Sequence, residues 1–143
     1  YFHWFCPISN PTGLFVYKLK TSPIKLNTED DAKKYRVGVL RKDIGHLHLL
    51  KLGCTEEDNL YVTNDEMINI QKLYSGELDL ILQSEKELAY RLNTINKNQN
   101  DIIKALELHH SKGNFHCLAL SLNSSPTIIK KISHAFESWK INK

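Results

Sequence analysis

The chain has 143 residues, 41% of them hydrophobic, with a formal net charge of +3; that length suits one compact core. Its 19 basic residues lie scattered among 16 acidic ones, without the clustered basic stripe of a nucleic-acid footprint, so no nucleic acid is expected as a partner. No apolar run reaches the roughly 18 to 20 residues of a membrane span, and no charged start leads into an apolar signal segment.

The chain opens at Tyr1 rather than Met and runs at once into an apolar stretch, which gives the expectation of a processed, trimmed or excised product. Pro11, Thr12 and Gly13 form a turn signal before a strand over Leu14 to Leu19. Thr28 followed by Glu29, Asp30 and Asp31 supplies a cap and first-turn carboxylates for a short helix that Tyr35 closes.

Val37 to Leu40 is a continuous apolar run of the kind found in strands buried on both faces. Asp43 then caps a helix expected to turn Leu47, Leu50 and either Leu49 or Leu52 inward, and Gly53 ends it. The same grammar recurs with Leu60 to Val62 as strand, Thr63 or Asn64 as cap, Met67, Ile70, Leu73 and Tyr74 at helical spacing, and Gly76 as stop. A third unit has Leu78 to Leu82 as strand, Ser84 and Glu87 at capping-box spacing, and Leu88 and Leu92 on the following helix.

Residues 93–100 are polar and read as a surface connection, followed by a weaker helix over Ile102 to Leu108. Phe115 to Ser121 read as the last strand. Ser125 and Pro126 start a final helix with Ile128, Ile129, Ile132, Ala135, Phe136 and Trp139 as its apolar stripe. Repeated strand-helix units imply an α/β fold: a three-layer lobe with a mostly parallel, twisted sheet flanked by helices.

Cys6, Cys54 and Cys117 are odd in number and widely spaced, giving neither a disulfide framework nor a CxxC knuckle. One pair plus a free thiol and three buried thiols both fit, and the tendency of free cysteine to be buried favours the second. His46 with His48, and His109 with His110, invite a metal reading. Neither pair has ligand spacing, so no metal is expected. Without a Gly-rich phosphate loop or a GxSxG elbow, no cofactor and no catalytic set is expected, and the reading is non-enzymatic.

The run Tyr35-Arg36-Val37-Gly38-Val39-Leu40, followed by Leu73-Tyr74-Ser75-Gly76-Glu77-Leu78-Asp79-Leu80-Ile81, resembles the second lobe of bacterial family 3 extracellular solute-binding proteins, the type II periplasmic binding proteins. Asn27 to Ala32, Leu118 to Ser121 and the helix from Pro126 resemble the corresponding segments of that family, and the start at Trp4 to Ile8 lies near its first inter-lobe crossing. The resemblance implies that residues 1–143 are a single domain, the second lobe with hinge-proximal strands, whose first lobe is absent. It further implies a periplasmic binding component of an ABC-type importer, with amino acids or other small polar solutes as ligands. The expected partners are the solute, the missing first lobe and the transporter's membrane subunits. The alternative is a sensor or a degenerate protein-interaction domain of the same fold. An excised lobe with open cleft and hinge strands could also self-associate.

Ligands of open parallel sheets sit outside the carboxyl ends of the strands, where helix N-termini present free N–H groups. That edge holds Arg41, Lys42, Asp43 and Ile44 after one strand and Gln83, Ser84 and Glu85 after another; Arg41 to Ile44 with Ser84 and Glu85 are the candidate ligand residues. Amino-acid-binding members of the family carry a Gly-Ser/Thr pair in place of Lys42-Asp43 and an acid in place of Ser84, which speaks against an α-amino acid ligand; Asp43 competes with an anionic ligand for the helix dipole while Arg41 and Lys42 attract one, so the sign of the ligand charge stays open. Asp43 and Ser84 serve equally well as plain helix caps, and Asp79 is expected to tie down a turn or a backbone group. Trp4 and Trp139 are expected in core or hinge packing.

Overall fold

The computed structural model describes residues 1–9, 13–108 and 115–142. The turn expected at Pro11 and Thr12 and the His109–His110 pair therefore lie outside the described residues. The chain gathers into two compact units, one of residues 12–112 and one of residues 1–11 with 113–143.

The larger unit contains β2 (Leu14–Leu19), β3 (Val37–Leu40), α1 (Ile44–Lys51), β4 (Leu60–Thr63), α2 (Glu66–Ser75), β5 (Leu80–Ser84), α3 (Glu85–Thr94) and β6 (Ile102–Glu107), and β1 (Phe2–Phe5) belongs to the smaller unit. Its five-stranded sheet has the order β4-β3-β5-β2-β6. β3 is parallel to β4 and β5, while β2 runs antiparallel to both β5 and β6. Four of the five strands thus point one way, as the strand-helix grammar requires.

Alternation along the strands divides the core in two. Leu80 and Leu82 of β5 join Val37, Val39 and Leu49 of α1 on one face, and Ile81 joins Ile70 and Leu73 of α2 with Leu88 and Leu92 of α3 on the other. Helices therefore cover both faces, and every side chain of the central strands has somewhere apolar to go. The turn over Glu29–Lys34 is a 3-10 helix with Thr28 as cap and Tyr35 at its end. Its Asp31 carboxylate accepts from the backbone N–H groups of Asn27 and Thr28.

Several expectations need correction. Residues 102–107 form strand β6 rather than a helix, because β2 offers a free edge and pairs with Ile102 to Glu107. On α1 the inward residues are Gly45, His46 and Leu49, while Leu47 and Leu50 are exposed. Gly45 faces the sheet, where a Cβ would sit 2.3 Å from Leu82 Cδ2. Helix α2 is capped by Asp65, whose carboxylate accepts from Met67 N–H, and not by Thr63 or Asn64. The Thr63 hydroxyl instead accepts from Asp65 N–H.

The smaller unit pairs β1 (Phe2–Phe5) antiparallel with β7 (Leu118–Ser121) and adds α4 (Pro126–Ile141), capped by Ser125 with Pro126 in its first turn. The strand expected from Phe115 is thus shorter and stands outside the larger sheet. The register, with Phe5 opposite Leu118, places Cys6 opposite Cys117, and the two form a disulfide with Cα atoms 4.6 Å apart. This overturns the reading of three buried thiols; only Cys54 is a free, buried cysteine.

Phe5 packs edge-on against Phe136 of α4, with ring centroids 5.5 Å apart. Yet no residue of α4 is buried, and neither tryptophan is a core residue: Trp4 is 63% exposed and Trp139, stacked on Phe136, is 39% exposed. The core half of the expectation for both is corrected accordingly; each still makes a ring contact, Trp4 with Phe2 and Trp139 with Phe136. Among the described residues no helix is long and apolar enough to cross a membrane.

Candidate functional site

The parallel register aligns the ends of three strands. Leu40 of β3 lies opposite Thr63 of β4, and Val37 lies opposite Leu80 of β5, so β5 reaches the same edge at Gln83 and Ser84. Each strand hands over directly to a helix, and the starts of α1, α2 and α3 therefore share one edge of the larger unit. First-turn N–H groups of helices carry partial positive charge and lack intrahelical partners, which suits polar or anionic groups.

The loop between β3 and α1 carries four of the sequence candidates. Arg41 donates its backbone N–H to Thr63 O (2.7 Å), and its guanidinium lies 3.6 Å from Glu56. Lys42 adopts a left-handed backbone with φ of 60° and donates its N–H to Nδ1 of His46 at 3.0 Å. Asp43 holds the cap position of α1, but its side chain makes no capping hydrogen bond, which corrects the expected side-chain cap. Ile44 opens the helix and is 39% exposed.

At the β5 end, Ser84 Oγ accepts from Glu87 N–H and donates to Glu87 Oε2 at 2.8 Å, so Ser84 caps α3 as its spacing implies. Glu85 is engaged with Lys104 of β6 at 2.9 Å. Beside that pair a cavity of about 140 Å³ opens between α3 and β6. Tyr17 on its wall has a buried hydroxyl without a partner, and burial together with the Glu85 charge pushes its ionisation upward. Gln83 is buried, and neither of its amide atoms is paired.

Sequence reasoning did not single out Glu66 or Glu87 as site residues. Glu66, in the first turn of α2, is buried 2.7 Å from Arg91 of α3 without the alignment of a hydrogen bond. Burial raises its pKa, the Arg91 charge opposes this, and the charges of Glu87 and Asp43 raise it further. Three carboxylates therefore act on one corner of the edge. The signal was present in the sequence, since Glu66 follows a strand end and a cap just as Ile44 and Glu85 do.

Other singled-out residues lie elsewhere. Asp79 holds the backbone N–H of Arg36 (2.8 Å) and its guanidinium, at the opposite ends of the parallel strands, as the tie-down reading expected. His46 turns into the larger unit, whereas His48 contacts Glu29 at 2.8 Å. Among the described residues no group of three or more His, Cys, Asp or Glu is placed to hold a metal ion.

No family profile matches the sequence, and no curated protein matches it. Solved structures do. An ancestral arginine-binding protein bound to arginine superposes with a TM-score of 0.75 at 19% identity, over 97% of this chain and 58% of that one. The arginine-bound form of a truncated arginine-binding protein from T. maritima gives 0.74 at 12%, over 99% and 60%. An amino acid ABC transporter substrate-binding protein from Streptococcus pneumoniae, bound to L-arginine, gives 0.73 at 15%, over 99% and 56%. The chain thus spans well under two thirds of the length of these neighbours. At such identities the likeness speaks for the fold: a mixed α/β architecture of the type II periplasmic-binding kind, shared with amino-acid-binding proteins.

Proposed function

We propose that the chain is the solute-binding second lobe, with hinge-proximal strands, of a two-lobed periplasmic binding protein serving an ABC-type importer, and that it is not an enzyme. The observation that carries this reading is the convergence of three helix starts at the carboxyl edge of parallel strands, in a chain whose fold is shared with arginine- and amino-acid-binding proteins. The ligand is a small polar solute of the amino-acid class, contacted by Arg41, Lys42, Asp43, Ile44, Ser84 and Glu85. Arg41 and Lys42 bring positive charge to this edge, and Asp43, Glu66 and Glu87 bring carboxylates close enough to act on one another. A ligand bearing both signs suits such a surface.

Two further observations support the wider setting. The Cys6–Cys117 disulfide suits an oxidising compartment such as the periplasm. In the smaller unit Phe2, Trp4, Leu118, Ile128 and Ile141 are exposed, and a two-stranded sheet with one helix is marginal by itself. A first lobe supplies the missing cover, consistent with the neighbours' greater length; without it this face can also self-associate. The transporter's membrane subunits are the remaining partners.

A thermal-shift panel of L-amino acids, polyamines and organic acids on the full two-lobed protein tests the reading. A ligand that prefers the folded state raises the melting temperature. Arg41→Ala together with Glu87→Ala is expected to abolish the shift while the 143-residue chain alone binds at least tenfold more weakly. No shift with any compound favours the second reading, a sensor or interaction domain of the same fold. The engagement of Lys42 N–H by His46 and of Glu85 by Lys104 lends that reading some support.

A further inference from the structure

Three successive N–H groups follow β3, and each has a different acceptor. Arg41 donates to Thr63 O and Asp43 to Leu40 O, both backbone groups, whereas Lys42 donates to the imidazole Nδ1 of His46 at 3.0 Å. Lys42 is also one of two described non-glycine residues with positive φ, at 60°. A side chain in that region costs of the order of 1 kcal/mol and persists only where its surroundings hold it.

We propose that His46 is a positioning residue: its Nδ1 lone pair holds the β3–α1 loop in the conformation that presents Arg41, Lys42 and Asp43 at the carboxyl edge. His46 is 6% exposed and reaches back from the first turn of α1 to the residue before the cap. Because Nδ1 accepts, the ring proton in this arrangement sits on Nε2. Nε2 has no hydrogen-bond partner, its nearest carboxylate being Glu56 Oε1 at 4.0 Å. Among the described residues the charged group nearest the ring is Glu56, from the turn before β4, and Arg41 at the end of β3 faces the same Glu56 oxygen at 3.6 Å. Protonation of Nδ1 sets one donor against another and releases Lys42.

The consequence for ligand capture rests on the solute-binding reading, but the hold on the loop does not. The test therefore uses the 143-residue chain without ligand, so it can fail while solute binding stands. Amide hydrogen exchange at Lys42, corrected for intrinsic rate, is followed by NMR in wild type, His46→Ala and His46→Asn. The amide oxygen of asparagine can take the place of Nδ1 without titrating.

At about pH 8 the wild-type amide is expected to exchange five- to tenfold more slowly than in H46A, roughly the factor one net hydrogen bond supplies. The protection is lost in wild type once the ring resonances show Nδ1 protonated, and persists in H46N. Equal exchange in wild type and H46A, or wild-type protection that survives once the ring resonances show it fully protonated, overturns the proposal. Should H46A fail to fold, the wild-type pH series decides alone.

Discussion

Asp79 and Glu66 are carboxylates pushed in opposite directions by their surroundings. Hydrogen bonds from the Arg36 side chain and backbone hold Asp79 below the ordinary aspartate range, and burial lifts Glu66 above the ordinary glutamate range. A depressed folded-state value stabilises above the unfolded value and loses that contribution as pH falls through the folded one; a raised value stabilises in acid and loses it as pH rises. In urea melts at several pH values, wild type should therefore gain on Asp79→Asn as pH rises through the acid range. It should lose ground relative to Glu66→Gln as pH rises above the ordinary glutamate range. Partial exposure limits the Asp79 effect to about 1 kcal/mol. The tie-down role of Asp79 was legible because Gly76 and Asp79 bracket a tight entry into a strand. The role of His46 was not, since no spacing rule announces a ring reaching back over four residues to a strained N–H.

Packing of whole elements accounts for what the sequence made visible. The strand-helix units follow an apolar run with a polar residue at the helix start, and Gly53 and Gly76 sit in the left-handed conformation at φ of 94° and 78° as helix stops require. The face of α1 was misread because leucine outweighs glycine in any hydrophobic pattern, yet Gly45 is the residue that lets the helix lie on Leu82. Gly45→Ala is accordingly expected to lower stability by about 1 to 3 kcal/mol through overpacking, read as a fall in the urea midpoint at unchanged slope. Ile102 to Leu108 was misread because its apolar spacing fits a helix as well as a strand. Tertiary pairing with β2 decided the matter, and the paired β-branched residues Ile102 and Ile103 were the available hint.

At the scale of the molecule, the pairing of β1 with β7 joins residues far apart in sequence, and Cys6 and Cys117, 111 residues apart, close the same pairing covalently. Sequence could not reveal that disulfide, since cysteine spacing alone does not fix a distant strand register. Replacing both cysteines by serine is expected to destabilise the smaller unit by up to about 5 kcal/mol, the chain-entropy value for so long a loop. The measurement is urea unfolding followed by tryptophan fluorescence, because Trp4 and Trp139 both lie in that unit.

The candidate site was legible as a place, from strand ends and caps, but not as chemistry: the Glu66–Arg91 pair and the engagement of Glu85 by Lys104 depend on contacts between distant segments. The most direct measurement is an NMR titration of the ¹⁵N-labelled 143-residue chain with L-arginine and the other standard amino acids at millimolar concentration. Amide shifts confined to residues 41–44, 64–66 and 84–87 for at least one compound are the expected result. Shifts centred on the opposite end of the sheet, around Arg36 and Asp79, or no shifts with any amino acid, would contradict the account.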